Sequence, residues 1–132
     1  SVLWKQVLQF SESYELLSKG CKYVSLTLDY PFITLEEQSR FMVGVTLPQS
    51  FKIPKGFGVY EVPAGEYAIF RFKGLYHELN RVYRYIYLDW LPANDYSLRE
   101  PFTFETYINT PEKTPVSELI TDIYLPVKKK EI

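Results

Sequence analysis

The residues best placed to do chemistry lie in the run Phe102-Thr-Phe-Glu-Thr-Tyr-Ile108. The run alternates as a strand does, and strand side chains point to opposite faces in turn. Phe102, Phe104, Thr106 and Ile108 share one face; Thr103, Glu105 and Tyr107 share the other. The first face reads as core. The second sets a carboxylate beside a tyrosine in the most aromatic part of the chain. A carboxylate among rings is costly unless it is paired or protonated. Glu105 therefore has two readings. On an open face it pairs with Arg or Lys of a neighbouring strand, Arg71 being one candidate. At the floor of an aromatic hollow it meets a cation or a hydrogen-bond donor, or serves as general acid or base. Surrounding rings would add cation–π attraction of about 0.5–2 kcal/mol each. The companions are Tyr107 on the same face, Tyr67 on the face opposite Phe70 and Phe72, and Trp90 at the end of a helical stripe.

Other chemistry is thinly represented. His77 is the single histidine and Cys21 the single cysteine. Without spaced carboxylates these two give no ligand set, so neither a metal nor a cofactor is expected. No nucleophile elbow supports a Ser-His-Asp triad. Gly56-Phe-Gly58 is too short for a phosphate loop, and no dinucleotide fingerprint occurs.

The 132 residues make one domain, 1–132. An apolar share of 46% and a charged share of 23% suit a packed core. The aromatic share, 17%, is high, and tyrosine serves both as core filler and as ligand wall. A net charge of −1 argues against gripping a nucleic-acid backbone, which takes a basic face. The basic run Lys128-Lys-Lys130 reads as a solvated tail. One cysteine excludes an intramolecular disulfide and fits a reducing, cytoplasmic setting. No apolar run approaches the ~18 residues of a transmembrane helix, so no membrane is expected as a partner.

These residues must be positioned by elements legible in the pattern. Apolar groups at Leu3, Val7, Phe10 and Tyr14 predict a helix over 2–18, with Gly20 as its cap. Alternation predicts strands over 22–30 and 40–47. Pro31 and Glu36-Glu-Gln38 predict a connection with a short helical turn. Residues 57–73 are an extended segment broken at Pro63-Ala-Gly65. Leu75, Leu79, Val82, Ile86 and Trp90 form one stripe, flanked by Tyr76, Tyr83 and Tyr87. They predict a helix over 75–91 stopped by Pro92. A last strand is expected over 118–127. The order gives two βαββ units: residues 1–48, lacking an opening strand, and a complete unit over 57–132. The expected class is α+β, an antiparallel sheet with two helices on one face. The missing strand and the non-Met start point to a trimmed or excised domain.

Val62-Pro-Ala-Gly-Glu-Tyr-Ala-Ile-Phe-Arg-Phe-Lys-Gly74 resembles the "P-A-G-x-Y-A-x-F … G" strand of gyrase-inhibitor-like (GyrI-like) domains. Tyr87-Leu-Asp-Trp-Leu-Pro92, Phe104-Glu-Thr-Tyr107 and Asp122-Ile-Tyr-Leu-Pro-Val127 resemble further pieces in the same order, and Phe41-Met-Val-Gly-Val45 matches the first half. The resemblance implies paired βαββ units forming a concave groove. It also implies a small-molecule ligand, amphipathic and cationic aromatic, met by Glu105 at the pocket floor with Tyr107, Tyr67 and Trp90 around it. Such domains form the effector-binding part of AraC-type transcription regulators, including multidrug sensors. On that model DNA is bound only through a helix-turn-helix region outside these residues, and a homodimer is an expected assembly. Two alternatives stay open: a stand-alone gyrase-inhibitor-like protein, and a small-molecule hydrolase using Glu105 as general acid/base.

Overall fold

The computed structural model describes residues 2–29 and 40–130. The turn expected around 36–38 lies outside the described residues. Helix α1 covers Val2–Ser13 and is followed by a 3₁₀ turn, Leu17–Lys19. Gly20 caps that turn with φ +82°, its N–H bonded to the Leu17 carbonyl. Strands β1 (Tyr23–Thr27) and β2 (Phe41–Val45) follow. Next come β3 (Tyr67–Lys73), a 3₁₀ turn (Tyr76–Glu78) and α2 (Leu79–Tyr85). Three further strands are β4 (Tyr96–Leu98), β5 (Thr103–Tyr107) and β6 (Ile120–Lys129). The strand order is β2-β1-β5-β6-β3, every neighbouring pair antiparallel, and β4 pairs with the C-terminal part of β6. Among the described residues this makes an open antiparallel sheet of six strands with helices, an α+β fold.

Two elements depart from the pattern. The extended segment 57–73 becomes a strand only from Tyr67, after the Pro63-Ala-Gly65 break. The second helix does not stop before Pro92. A π-helical turn, Ile86–Trp90, leads into a last turn, Leu91–Ala93, that contains the proline. Pro92 has no N–H for the carbonyl four residues back. Here the Leu91 N–H reaches back five residues, to the Ile86 carbonyl. Asn94 closes the helix by donating its side-chain N–H to the Trp90 carbonyl at 2.7 Å. The lysine run is partly structured too, because Lys128 and Lys129 pair with Ser97 and Tyr96 across β4.

Both helices cover the face that carries Glu105. Ile123, Leu125 and Val127 of β6 pack under Leu79 and Ile86, with Phe70, Phe72, Val82 and Trp90 around them. Ile123 lies directly opposite Glu105. Full burial of such a side chain stabilises by about 1.5–3 kcal/mol. A second cluster, Phe10, Leu16 and Cys21 with Val45 and Leu47, seats α1 on β2. The face of Phe102, Phe104 and Thr106, read as core, is buried at Phe102 and Thr106, but it is not the face that the helices cover. These side chains point to the side away from the helices, where Phe104 stacks on Tyr124 at 4.4 Å. In a sheet aromatic on both sides, alternation separates the faces but does not tell which one the helices cover.

The Pro63-Ala-Gly65 break is pinned by Arg99. Its guanidinium donates to the Glu66 carbonyl at 3.1 Å and lies 4.9 Å from the Tyr67 ring centre. Gly65 has φ +144°, and a Cβ there would sit 2.6 Å from Arg99 Cζ. Gly65→Ala is expected to destabilise by about 1–2 kcal/mol, seen as a lower urea midpoint with an unchanged slope. An unchanged midpoint would contradict this account of the break.

Candidate functional site

The site is built on the two central strands. Antiparallel pairing sets Ser25 of β1 opposite Glu105 of β5, and Tyr23 opposite Tyr107. All four side chains therefore face the helices. Helix α2 crosses above and delivers Tyr83, whose hydroxyl donates to Glu105 Oε2 at 2.6 Å. The Tyr107 hydroxyl donates to Glu105 Oε1 at 3.0 Å and lies 2.8 Å from Ser25 Oγ. Both carboxylate oxygens are thus engaged, and one hydrogen-bonded chain links β1, β5 and α2.

Burial pushes the Glu105 carboxyl above the ordinary carboxylate range, and the hydrogen bonds from Tyr83 and Tyr107 pull against that shift. Burial also raises both phenols, and the Glu105 charge adds to it, so they remain protonated donors at neutral pH. Tyr76 is raised by the same two causes, burial first.

Above this network lies a cleft of about 930 Å³ between α1 and the start of α2. Its aromatic walls are Trp4 of α1, Tyr23 of β1, Tyr107 of β5 and Tyr76 of the 3₁₀ turn. The rings meet edge to face: Trp4 lies 5.7 Å from Tyr107 and 6.1 Å from Tyr23, and Tyr76 lies 5.6 Å from Tyr107. Leu8, Leu17 and Leu79 add apolar surface. Three exposed carboxylates, Glu12, Glu15 and Glu112, stand at the mouth beside one cation, Lys113. Glu15 holds a left-handed backbone, φ +52°. It occupies the position after α1 where glycine is usual, with the Leu16 N–H bonded to the Ser11 carbonyl and its own N–H to the Glu12 carbonyl.

Two of the four expected site residues come together here. Tyr107 lines the cleft, and Glu105 lies behind it, outside the lining itself. Tyr67 and Trp90 are elsewhere. Tyr67 points to the opposite face, its ring 5.4 Å from Phe104 and its hydroxyl bonded to the Pro63 carbonyl at 2.6 Å. Trp90 belongs to the helix-side core, 5.0 Å from Phe70 and stacked on Tyr96 at 5.8 Å. Arg71 does not reach Glu105. It makes a two-pronged ion pair with the buried Asp122, at 2.8 and 2.9 Å, on the far face. The pattern did not single out Trp4, Tyr23, Ser25 or Tyr83. A signal existed for Tyr83, which flanks the helical stripe, but nothing local joins it to Glu105.

Glu105 is also a stability statement. Its raised pKa means that the folded state favours the protonated form. Its contribution is fully present below the unfolded pKa and is lost as pH rises through the folded one. Glu105→Gln should therefore raise the Tm at neutral pH, and the gain should fade as pH falls through the carboxylate range. A gain independent of pH, or a loss that grows with pH, would contradict the burial argument.

An antiparallel sheet with two helices astride an aromatic, acid-rimmed cleft is the build of a small-molecule-binding domain. The family model for the GyrI-like small molecule binding domain matches residues 1–128, and the chain belongs to that family. It is also similar to a protein named DNA gyrase inhibitor from Serratia proteamaculans (strain 568). The two are 33% identical over 112 residues, covering 82% of this chain and 70% of that protein. Among the described residues, no helix is long and apolar enough to cross a membrane.

Proposed function

We propose that this domain senses an amphipathic, cationic aromatic molecule held in the cleft between α1 and the start of α2. The observation that carries the reading is the cleft: about 930 Å³, walled by four aromatic rings, with a carboxylate directly behind one of them. Cavities that take small ligands run to roughly 300–1,000 Å³ and bury most of the ligand. Aromatic faces attract cations, and the acidic mouth adds to that attraction. Tyr107 touches the ligand, and Glu105 supports Tyr107 from below.

In the first setting for this domain, a cytoplasmic one, it is the effector-binding part of an AraC-type, multidrug-sensing regulator, and DNA is met through a helix-turn-helix region. The ligand then acts by favouring one of two arrangements of the attached module, which takes a difference in affinity between them. The second setting is gyrase inhibition, supported by the name of the Serratia relative.

Titration calorimetry with a rhodamine dye tests the cleft. The dye should bind, and Leu8→Trp, which fills the space beside Trp4, should weaken it at least about tenfold, or 1.4 kcal/mol. Equal dissociation constants for both proteins would sink the assignment. A gyrase supercoiling assay separates the settings: inhibition by the purified chain supports the second, and unchanged supercoiling removes it.

A further inference from the structure

The lysine run at the end of β6 is a concentration of charge that the aromatic cleft does not use. As a solvated tail, Lys128-Lys-Lys130 would be three mobile cations of no fixed geometry. Strand pairing gives them one. Lys128 lies opposite Ser97 and Lys129 opposite Tyr96 across β4, and the Lys130 N–H bonds to the Asp95 carbonyl at 2.9 Å. The backbone under all three is therefore held in an extended form. Alternation sends Lys128 and Lys130 to the face that carries Ser97, Pro126 and Tyr67, and Lys129 to the helix side. The stems of Lys128 and Lys130 then start about 7 Å apart, two residues along a strand.

These three lysines and Ser97 line a second cavity, of about 280 Å³. Among the described residues, neither a ring nor a carboxylate lines it, and none of the three lysines forms an ion pair. Asp95 meets Lys130 through its main chain and makes no ion pair either. Arg99 joins the same corner, its N–H bonded to the Pro126 carbonyl. Its guanidinium meets the carbonyls of Ala64 and Glu66 and the Tyr67 ring, not a carboxylate. A chain of net charge −1 thus gathers cations at one corner of its sheet. Like charges held together repel, and an anion among them relieves that cost.

We propose that this corner is a second binding site, independent of the aromatic cleft, for a small polyphosphate. Lys128 and Lys130 straddle successive phosphate groups, and the Ser97 hydroxyl donates to a phosphate oxygen between them. Lysine meets phosphate as a point charge, without the planar fork with which arginine selects a carboxylate. With no ring in its lining, the cavity reads the phosphates alone, and whatever they are attached to projects into solvent.

Titration calorimetry at constant ionic strength tests this with inorganic tripolyphosphate, orthophosphate and ATP. Tripolyphosphate should bind at one per chain, orthophosphate more weakly, and ATP about as well as tripolyphosphate and in competition with it. Lys128→Gln and Lys130→Gln should each weaken tripolyphosphate roughly two- to fivefold, the size of one exposed charge contact. Lys129→Gln removes the same charge from the other face and should change little. All three are exposed positions, so folding is not at stake. Equal losses in the three variants would mean attraction to bulk charge and would overturn the site. Failure of tripolyphosphate to bind would overturn it as well. ATP binding much tighter than tripolyphosphate would overturn the claim that phosphates alone are read. None of these results bears on the dye in the aromatic cleft.

Discussion

A carboxylate held between two phenols sets the terms for the rest of this structure. Glu105 sits on a central strand under a helix, where water cannot fully solvate it. Burial raises its pKa, and the Tyr83 and Tyr107 hydroxyls partly offset that cost. Hydrogen bonds to a charged group stabilise by about 1.5–3 kcal/mol each, so losing either donor would leave the carboxylate poorly satisfied. The arrangement fixes more than one residue. Tyr83 ties α2 to β5, and Tyr107 carries the tie on to Ser25 of β1. The two halves of the chain meet at this chain of polar atoms.

The cleft follows from that junction. Helix α1 is seated on β2 by Phe10 and Leu16, and α2 on β6 by Leu79 and Ile86. The helices thus lie over the flanks of the sheet, and the space between α1 and the start of α2 opens above β1 and β5. Rings fill the walls, and because Tyr107 is anchored below by Glu105, one wall is held rigidly before any ligand arrives. Pre-organisation of this kind lowers the ordering cost of binding. The mouth tells the same story from the other side. Glu15 keeps a left-handed backbone that costs a non-glycine residue roughly 1 kcal/mol, at the end of a helix whose dipole disfavours its charge. Stability alone would place glycine there.

Much of the fold was legible in the residues, and the site was legible in part. Alternation marked β1, β2 and β5, and the stripe Leu79–Val82–Ile86 marked the face of α2 that packs on β6. Glu105 and Tyr107 stood out because a charge among aromatics is physically costly wherever it lies. The rest depended on register between distant segments. Tyr67 and Glu105 looked like partners because each faced away from its apolar neighbours. Pairing of β3 and β5 with β6 put them on opposite sides of the sheet. Trp90 ended the helical stripe, and packing against Phe70 drew it into the core. Trp4, Tyr23 and Tyr76 lie on three separate elements, and their rings reach one cleft only when β1 pairs with β5 and α1 and the turn before α2 pack over that pair.

The central claim is that a flat cation enters the cleft beside Trp4, and the two tryptophans allow that to be watched directly. Trp4 lines the cleft, whereas Trp90 is packed in the core against Phe70 and Tyr96. In a Trp90→Phe protein, Trp4 is the sole indole. Titration with proflavine should quench its emission to a plateau at one dye per chain, while the reciprocal Trp4→Phe protein shows little change in Trp90 emission. Dye binding that leaves Trp4 emission untouched would contradict the account.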